Sequence, residues 1–239
     1  MFTKIEIRII PEDASRNLYI KHLKAYELFS GVVEGKNILD VGCGDGYGTA
    51  FLAKSAKSII GVDYKNEVIL SAQRKYKENN LEYVCMNSTN LGFKEGRFDA
   101  VCSFQVIEHI PEDGLLTYLS ELKRVLKKDG ELYLSTLNLD KMIKNPGTYE
   151  KSPAHCKEFK LDELRDLLAK VFNDFDIYGL HSTLKYSLYL ALKRSGIFKS
   201  FPDTINPVSR FYRDISLHDF KVNKFNLKKA LDFICICRK

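Results

Sequence analysis

Two short stretches of the chain combine residue types that could do chemistry. In residues 37–48 an apolar run is followed by glycine at every second position, and glycine lets a ligand approach the backbone closely. Further along, Glu108 and His109 place a carboxylate beside an imidazole, the side chain whose ordinary pKa lies nearest to neutrality. The first stretch predicts a binding turn, and the second offers a general base.

The first stretch predicts a strand, a turn and a helix. Ile38, Leu39 and Val41 form an apolar run typical of a buried strand, and a helix is predicted after the glycines. Such a corner is typical of nucleotide-binding folds. A dinucleotide-binding turn has the spacing G-x-G-x-x-G, but Tyr47 and Thr49 stand where its last glycine would fall. The turn therefore predicts a nucleotide-type ligand and argues against an NAD-dependent oxidoreductase.

A second apolar strand, Ser58–Asp63, ends in an acid that suits a ribose. Asp63 follows Gly42 by 21 residues, where a doubly wound fold places the carboxylate that binds both ribose hydroxyls. A carboxylate suits a diol because both of its oxygens accept hydrogen bonds. Tyr64 comes next and is expected to lie against the adenine ring.

The pattern Asp-x-Gly-x-Gly-x-Gly, which begins at Asp40, resembles motif I of the class I S-adenosylmethionine-dependent methyltransferases. The resemblance implies S-adenosylmethionine as the cofactor and S-adenosylhomocysteine as its product. It also implies that the turn passes beneath the methionine part of the cofactor, while Asp40 organises the cationic amino-acid end. The turn positions implied to contact the cofactor are Gly42, Cys43, Gly44 and Gly46.

Two later matches extend the resemblance. The family usually has an aspartate and an alanine where this chain has Asn87 and Ser88. The amide oxygen of Asn87 can still accept the hydrogen bond from the adenine amino group, and the backbone N–H of Ser88 is expected to meet a ring nitrogen. At the end of the strand Phe98–Phe104, Phe104 and Gln105 are implied to lie beside the first strand, where such folds bind ligands.

The pair Glu108-His109 follows that strand, as it does in the family, and His155 begins a His-x-x-Glu-Phe segment that related enzymes also show. His109 is the predicted base for a hydroxyl acceptor, with Glu108 beside it and His155 approaching from the fifth strand. A structural role for the pair at the start of the next helix is the alternative. Small-RNA 2′-O-methyltransferases use a similar pair as metal ligands, but Gln105 replaces one of their carboxylates, so no metal site is predicted.

Apolar strands alternate with amphipathic helices, which predicts an α/β fold. The resemblance implies a doubly wound, seven-stranded, mostly parallel sheet with helices on both faces and an antiparallel last strand between the fifth and sixth. Residues 1–239 are predicted to form a single methyltransferase domain. Its predicted parts are an N-terminal helical lid (1–30), a cofactor-binding core (31–180), an insertion or substrate lid (181–216) and the final strand (217–239).

The helix predicted near residues 14–29 carries Tyr19, Leu23 and Tyr26 on one face. The resemblance implies that this helix covers the cofactor and that Tyr26 contacts it, and packing on the sheet edge is the alternative. The insertion at 181–216 has similar alternatives: a substrate lid, a dimer contact or plain packing.

The predicted function is methyl transfer to a small molecule, with a hydroxyl oxygen of a sugar or another metabolite as the acceptor. The alternatives are an RNA 2′-O-methyltransferase, an NAD-dependent oxidoreductase and a catalytically silent cofactor-binding protein. A net charge of +6 does not require an anionic partner, so no nucleic acid is predicted. Six cysteines without a Cys-x-x-Cys pair, and no apolar run of eighteen residues, indicate a cytoplasmic protein with no membrane span. The oligomeric state stays open.

Overall fold

The computed structural model describes residues 16–143 and 149–239, and its centre is one eight-stranded sheet. The strand order is β3-β2-β1-β4-β5-β8-β6-β7. The strands are β1 (Asn37–Val41), β2 (Ser58–Asp63), β3 (Leu81–Cys85), β4 (Phe98–Phe104), β5 (Leu126–Leu137), β6 (Asp174–Ser182), β7 (Phe220–Asn223) and β8 (Asp232–Arg238). The chain steps outward from β1 to β3 and returns to the other side of β1 with β4, which is the doubly wound arrangement.

Helices cover both faces of the sheet, as predicted. The helices in the described residues are α1 (Arg16–Ser30), α2 (Tyr47–Ala53), α3 (Asn66–Lys75), α4 (Leu115–Val125), α5 (Leu139–Met142), α6 (Leu161–Ala169), α7 (Leu184–Ser195) and α8 (Pro207–Asp214). Because side chains alternate along a strand, Leu39 and Val41 join the apolar cluster formed with α4 and α6, whereas Ile38 joins the cluster formed with α1 and α2.

The far half of the sheet confirms one prediction and corrects another. β8 lies antiparallel between β5 and β6, as predicted for the last strand. The sheet has eight strands and not seven, because β7 adds an antiparallel edge strand beside β6. The predicted final strand, 217–239, therefore contains two strands. β7 has only four residues, of which Phe220 and Val222 are apolar, and so short an alternation is a weak sequence signal.

The N-terminal helix packs on the sheet and on its neighbour α2. Residues 1–15 of the predicted lid lie outside the described residues, and the rest of it is α1. Tyr26 and Phe29 on α1 are buried. The ring of Tyr26 fits against α2 because residue 48 is glycine: a Cβ there would lie 2.1 Å from Cζ of Tyr26.

The insertion at 181–216 forms α7 and α8, which pack beside α1 and the β6 end of the sheet. Their shared apolar cluster includes Ile20 of α1, Tyr186 and Tyr189 of α7, and Phe220 of β7. Within the described ranges, no helix combines the length and apolarity needed to cross a membrane.

Candidate active site

A cavity of about 810 Å³ opens where β1, β2, β3 and β4 end at one edge of the sheet. This is the switch point between β1 and β4, where doubly wound folds bind ligands. The predicted site residues that line the cavity are Gly42, Cys43, Gly44, Asp63, Tyr64, Asn87, Ser88, Phe104, Gln105 and His109. The predicted site residues outside its lining are Asp40, Gly46, Tyr26, Glu108 and His155. No described residue of the insertion 181–216 lines it.

The glycine turn needs its glycines for both conformation and space. Gly42, Gly44 and Gly46 have φ angles of 78°, 53° and 86°, a left-handed region that disfavours other residues. A Cβ on Gly42 would lie 2.3 Å from a methyl carbon of Val106, which follows β4. A Cβ on Gly46 would lie 2.7 Å from the hydroxyl oxygen of Tyr83. The turn therefore packs closely against neighbouring strands and leaves its backbone facing the cavity.

Asp63 links the end of β2 to the glycine turn. Its Oδ2 accepts a hydrogen bond from the Gly44 N–H at 3.2 Å, and its Oδ1 accepts one from the Lys65 N–H at 3.0 Å. A carboxylate offers about four acceptor sites, so these two bonds leave capacity for a ribose diol. The geometry suits the predicted role of Asp63.

The residues after β2 and β3 form the side of the cavity at which the adenine is expected. The side chain of Tyr64 is exposed and lines the cavity, so its ring is available to a base. Asn87 differs from expectation in its contacts, because its Oδ1 accepts hydrogen bonds from the N–H and the hydroxyl of Thr89, at 3.0 Å and 2.9 Å. The amide oxygen therefore caps a turn here, and its contact with an adenine amino group stays a prediction.

The end of β4 turns sharply. Gln105 has a φ of 59°, a conformation that costs energy for a residue other than glycine. β5 holds it there, because its backbone N–H donates to the Ser135 carbonyl at 3.0 Å and its Nε2 donates to the Ser135 hydroxyl at 3.2 Å. The chain then enters a short 3₁₀ helix, Ile107–His109, which carries His109 to the cavity wall.

Asp40 contacts protein groups. Its fully buried carboxylate accepts hydrogen bonds from the Thr49 hydroxyl at 2.7 Å and the Tyr26 hydroxyl at 3.2 Å, and the Cys102 thiol lies 3.4 Å away. Burial raises the pKa of Asp40 to about 6, although these three donors oppose the rise. Asp40 therefore ties α1, α2 and β4 to β1, and contact with the cofactor's amino-acid end stays a prediction.

Among the described residues, one ring nitrogen of His109 has a hydrogen-bond partner and the other has none. Its Nδ1 lies 2.8 Å from the Ala154 carbonyl oxygen, which can only accept, so Nδ1 carries the proton and donates. In the neutral ring Nε2 is then an acceptor. Burial lowers the pKa of His109 below its usual value, so the ring is neutral at pH 7. A neutral imidazole with an open acceptor nitrogen can take up a proton.

Glu108 and His155 lie beside His109 but behind the cavity wall. The buried Glu108 accepts a hydrogen bond from the Thr136 hydroxyl at 3.0 Å, and burial raises its pKa to about 8. Nδ1 of His155 lies 2.5 Å from Oε1 of Glu158, and burial lowers the pKa of His155 to about 4. One ligand atom each from Glu108, His109 and His155 lies within 4.8 Å of the others, which is close enough for a shared metal ion.

His22 and Tyr47 also line the cavity and were missed in the sequence. His22 lies on α1 and hydrogen-bonds to the hydroxyl of Tyr47 at the start of α2. The sequence did contain a signal for His22, because this residue falls on the same predicted helical face as Tyr19, Leu23 and Tyr26. A polar ring on the buried face of a helix needs a partner, and only the fold shows that the partner belongs to α2.

Known proteins are similar to this chain in sequence and in fold. Residues 39–134 match the family model of a methyltransferase domain. A probable S-adenosylmethionine-dependent methyltransferase of Mycolicibacterium smegmatis is 31% identical over 163 residues, which are 67% of this chain and 61% of that protein. A ubiquinone biosynthesis O-methyltransferase of Actinobacillus pleuropneumoniae is 31% identical over 111 residues, 44% of this chain and 47% of that protein. The chain thus spans about three fifths or less of the length of these relatives.

A solved structure from Thermotoga maritima, described as an S-adenosylmethionine-dependent methyltransferase and possible histamine N-methyltransferase, has the same fold. It aligns with a TM-score of 0.65 at 17% identity, over 92% of this chain and 90% of that one. Fold and site together define a doubly wound protein with a cavity at its switch point. Residues 39–134 match a methyltransferase domain, and the fold is the one seen in S-adenosylmethionine-dependent methyltransferases.

Proposed function

We propose that this protein transfers the methyl group of S-adenosylmethionine to a hydroxyl oxygen of a small molecule, such as a sugar. The observation that carries the proposal is the geometry of His109, whose acceptor nitrogen belongs to a ring that lines the same cavity as Asp63 and the glycine turn. A hydroxyl group must lose its proton as it gains a methyl group. A neutral base at this wall meets that need.

The residues of the cavity fit the cofactor part by part. When bound, S-adenosylmethionine supplies a methyl group activated by its sulfonium. Asp63 has acceptor capacity for the ribose, Tyr64 offers its ring to the adenine, and the turn from Gly42 to Gly46 backs the methionine part. The protein's task is then to hold the acceptor in line with the methyl group, a form of catalysis by positioning.

Two further observations bear on the proposal, one on the acceptor atom and one on the cell compartment. The relative from Actinobacillus pleuropneumoniae is named an O-methyltransferase, which favours an oxygen acceptor. All six cysteines are free thiols, which favours the reducing cytoplasm as the site of action. We further propose that α1 forms the lid over the cofactor, because His22 brings this helix to the cavity wall.

Replacing His109 tests the base. His109→Gln should lower kcat by about 10²–10⁴-fold and leave the affinity for S-adenosylhomocysteine nearly unchanged. The acceptor is first found by transferring labelled methyl groups from S-adenosylmethionine into a metabolite extract and identifying the product by mass. His181→Gln, on β6 and outside the cavity, is the matched control. Full turnover in His109→Gln would refute the role of His109 as the general base.

The pH profile gives an independent readout. A base works in its deprotonated form, so the rate rises as pH passes its pKa. Because burial lowers the pKa of His109, the ascending limb of kcat/KM should lie below pH 6.5, the ordinary histidine value. The limb should disappear in His109→Gln.

A metal-assisted reaction is the second candidate, favoured by the closeness of Glu108, His109 and His155. In that case Nε2 of His109 would bind the ion and could not also act as a base. A chelator would then abolish turnover, a divalent cation would restore it, and His155→Gln would be as inactive as His109→Gln. Full activity in the chelator supports the base.

A further inference from the structure

The cavity has two ends that differ in their side-chain charges. Asp63, Tyr64 and Asn87 lie at the β2 and β3 end, which suits the adenosine part of the cofactor. The amino-acid part must then lie at the β1 and β4 end, near Phe104. Lys65 is the one lysine or arginine among the described lining residues, and it follows Tyr64 at the adenosine end.

The amino-acid end of the cofactor carries an ammonium and a carboxylate. The ammonium needs acceptors, and the Phe104 carbonyl is one. The carboxylate needs N–H or O–H donors. Among the described lining residues at that end there is no lysine or arginine, so the donors they offer are neutral groups.

Most neutral side-chain donors at that end are already used. The Nδ1–H of His109 donates to the Ala154 carbonyl at 2.8 Å, so the neutral ring has no second N–H. One of the two N–H groups of the Gln105 amide donates to the Ser135 hydroxyl at 3.2 Å, which fixes the amide on β5. A carboxylate would have to break the Ala154 bond to use His109, and it could use only the second N–H of Gln105.

His22 is different, because its donor is aimed but weakly used. Its Nε2 lies 3.4 Å from the Phe104 carbonyl oxygen, so Nε2 carries the proton. Nδ1 is then the acceptor of the hydrogen bond from the Tyr47 hydroxyl, which fixes the ring. A contact of 3.4 Å is at the long limit for an N–H donor, and a carboxylate would form a shorter, charge-assisted bond.

We infer that the Nε2–H of His22, in a ring held by the Tyr47 hydroxyl, binds the carboxylate of the cofactor's amino-acid end. The inference rests on the proposed use of S-adenosylmethionine. It makes His22 and Tyr47 positioning residues, which fix the methionine part and thereby the methyl group. The recognised chemistry is an α-amino acid carboxylate, bound by a neutral imidazole N–H.

The burial of His22 agrees with a role in binding the carboxylate. It lowers the pKa of His22 to about 4, so the imidazole is neutral at pH 7 and keeps the single N–H described above. Lys21, the next residue on α1, is paired with Asp232 at 3.0 Å and does not line the cavity.

The test compares two ligands that differ only in the amino-acid part. S-adenosylhomocysteine has the carboxylate, and 5′-methylthioadenosine lacks it. By calorimetry, His22→Phe should weaken S-adenosylhomocysteine by roughly 10- to 100-fold and leave 5′-methylthioadenosine within about twofold, since a hydrogen bond to a charged group is lost. His22→Gln, which keeps an N–H donor, should recover part of the affinity.

Tyr47→Phe tests the pair without changing the donor. It should weaken S-adenosylhomocysteine by a smaller factor, about three- to tenfold, because the imidazole loses the bond that orients it. His218→Phe, at an exposed histidine outside the cavity, is the matched control and should bind both ligands as the wild type does. Tyr47→Phe also keeps the test decisive if His22→Phe does not fold.

Three outcomes separate the inference from the proposed function. If the wild type binds neither ligand, the cofactor assignment fails. If the wild type binds S-adenosylhomocysteine and the His22 and Tyr47 variants bind it equally well, the carboxylate lies elsewhere and the inference fails. If these variants weaken both ligands equally, His22 acts on the fold and the inference also fails.

Discussion

At the scale of single residues, the sequence indicates where a side chain lies more clearly than which groups it contacts. Asp63 was predicted from its distance to the glycine turn, and its carboxylate lies at the cavity with two protein hydrogen bonds. Asp40 was expected to serve the cofactor, yet its oxygens are used by Thr49 and Tyr26. Those donors lie on other elements, and a motif does not reveal which partners folding brings to a carboxylate.

Asp63 leads to a prediction about the ribose. Asp63→Ala should weaken S-adenosylhomocysteine by about 1.5–3 kcal/mol, the range for a hydrogen bond to a charged group. Wild-type protein should prefer adenosine to 2′,3′-dideoxyadenosine, and the variant should lose that preference, as measured by competition against S-adenosylhomocysteine. Asp63 also accepts a hydrogen bond from the Gly44 N–H. If Asp63→Ala weakens binding but still prefers adenosine, Asp63 only supports the glycine turn and does not bind the ribose.

At the scale of elements, the fourth glycine of the motif serves the contact between two helices. Gly48 lies in α2, where alanine would normally stabilise by up to about 1 kcal/mol. A Cβ there would lie 2.1 Å from the Tyr26 ring, so the overlap should outweigh the helix propensity. Gly48→Ala should therefore destabilise the protein, by about 1–3 kcal/mol in chemical denaturation.

The matched control for Gly48 is Gly92→Ala, since a Cβ there would meet its nearest neighbour, a Met86 methyl carbon, at an ordinary 3.6 Å. It should change stability little. Combining Gly48→Ala with Tyr26→Ala should cost less than the sum of the two single changes, because the second removes the overlapping ring. If the costs of the two single changes add up in the double variant, the strain in Gly48→Ala does not come from the Tyr26 ring.

At the scale of the whole molecule, the half of the sheet that holds the site was the more predictable half. β1, β2 and β4 are parallel and covered on both faces, so their sequences are mainly apolar, with Asp40 in β1 and Asp99 in β4 as the charged exceptions within the runs. The edge strand β7 has two apolar residues and exists because β6 offers it a partner, from Ser182 opposite Phe220 to Gly179 opposite Asn223. Pairing of that kind is a property of the folded chain and leaves little local signal.

Asp40 connects the site to the stability of the whole molecule. Its folded pKa is about 6, above the ordinary 3.8, so between these values the folded protein binds more protons than the unfolded chain. Its contribution to the unfolding free energy is then fully present below pH 4 and is lost as pH rises through 6. A difference of about two pH units corresponds to about 3 kcal/mol.

Asp40→Asn should remove this dependence, and the measurement is the unfolding free energy of variant minus wild type at several values between pH 4 and 7. The difference is used because buried neutral His22 has the opposite dependence on pH and is common to both proteins. Asp99→Asn is the control: burial raises the pKa of Asp99, but its bonds from Lys127 and Asn37 outweigh that and lower it. The stabilisation from Asp99 is lost only as pH falls. The loss of stability that Asp40 causes as pH rises through 6 should therefore persist in Asp99→Asn. A constant difference between Asp40→Asn and wild type across this range would show that Asp40 is already ionised in the folded protein at pH 4.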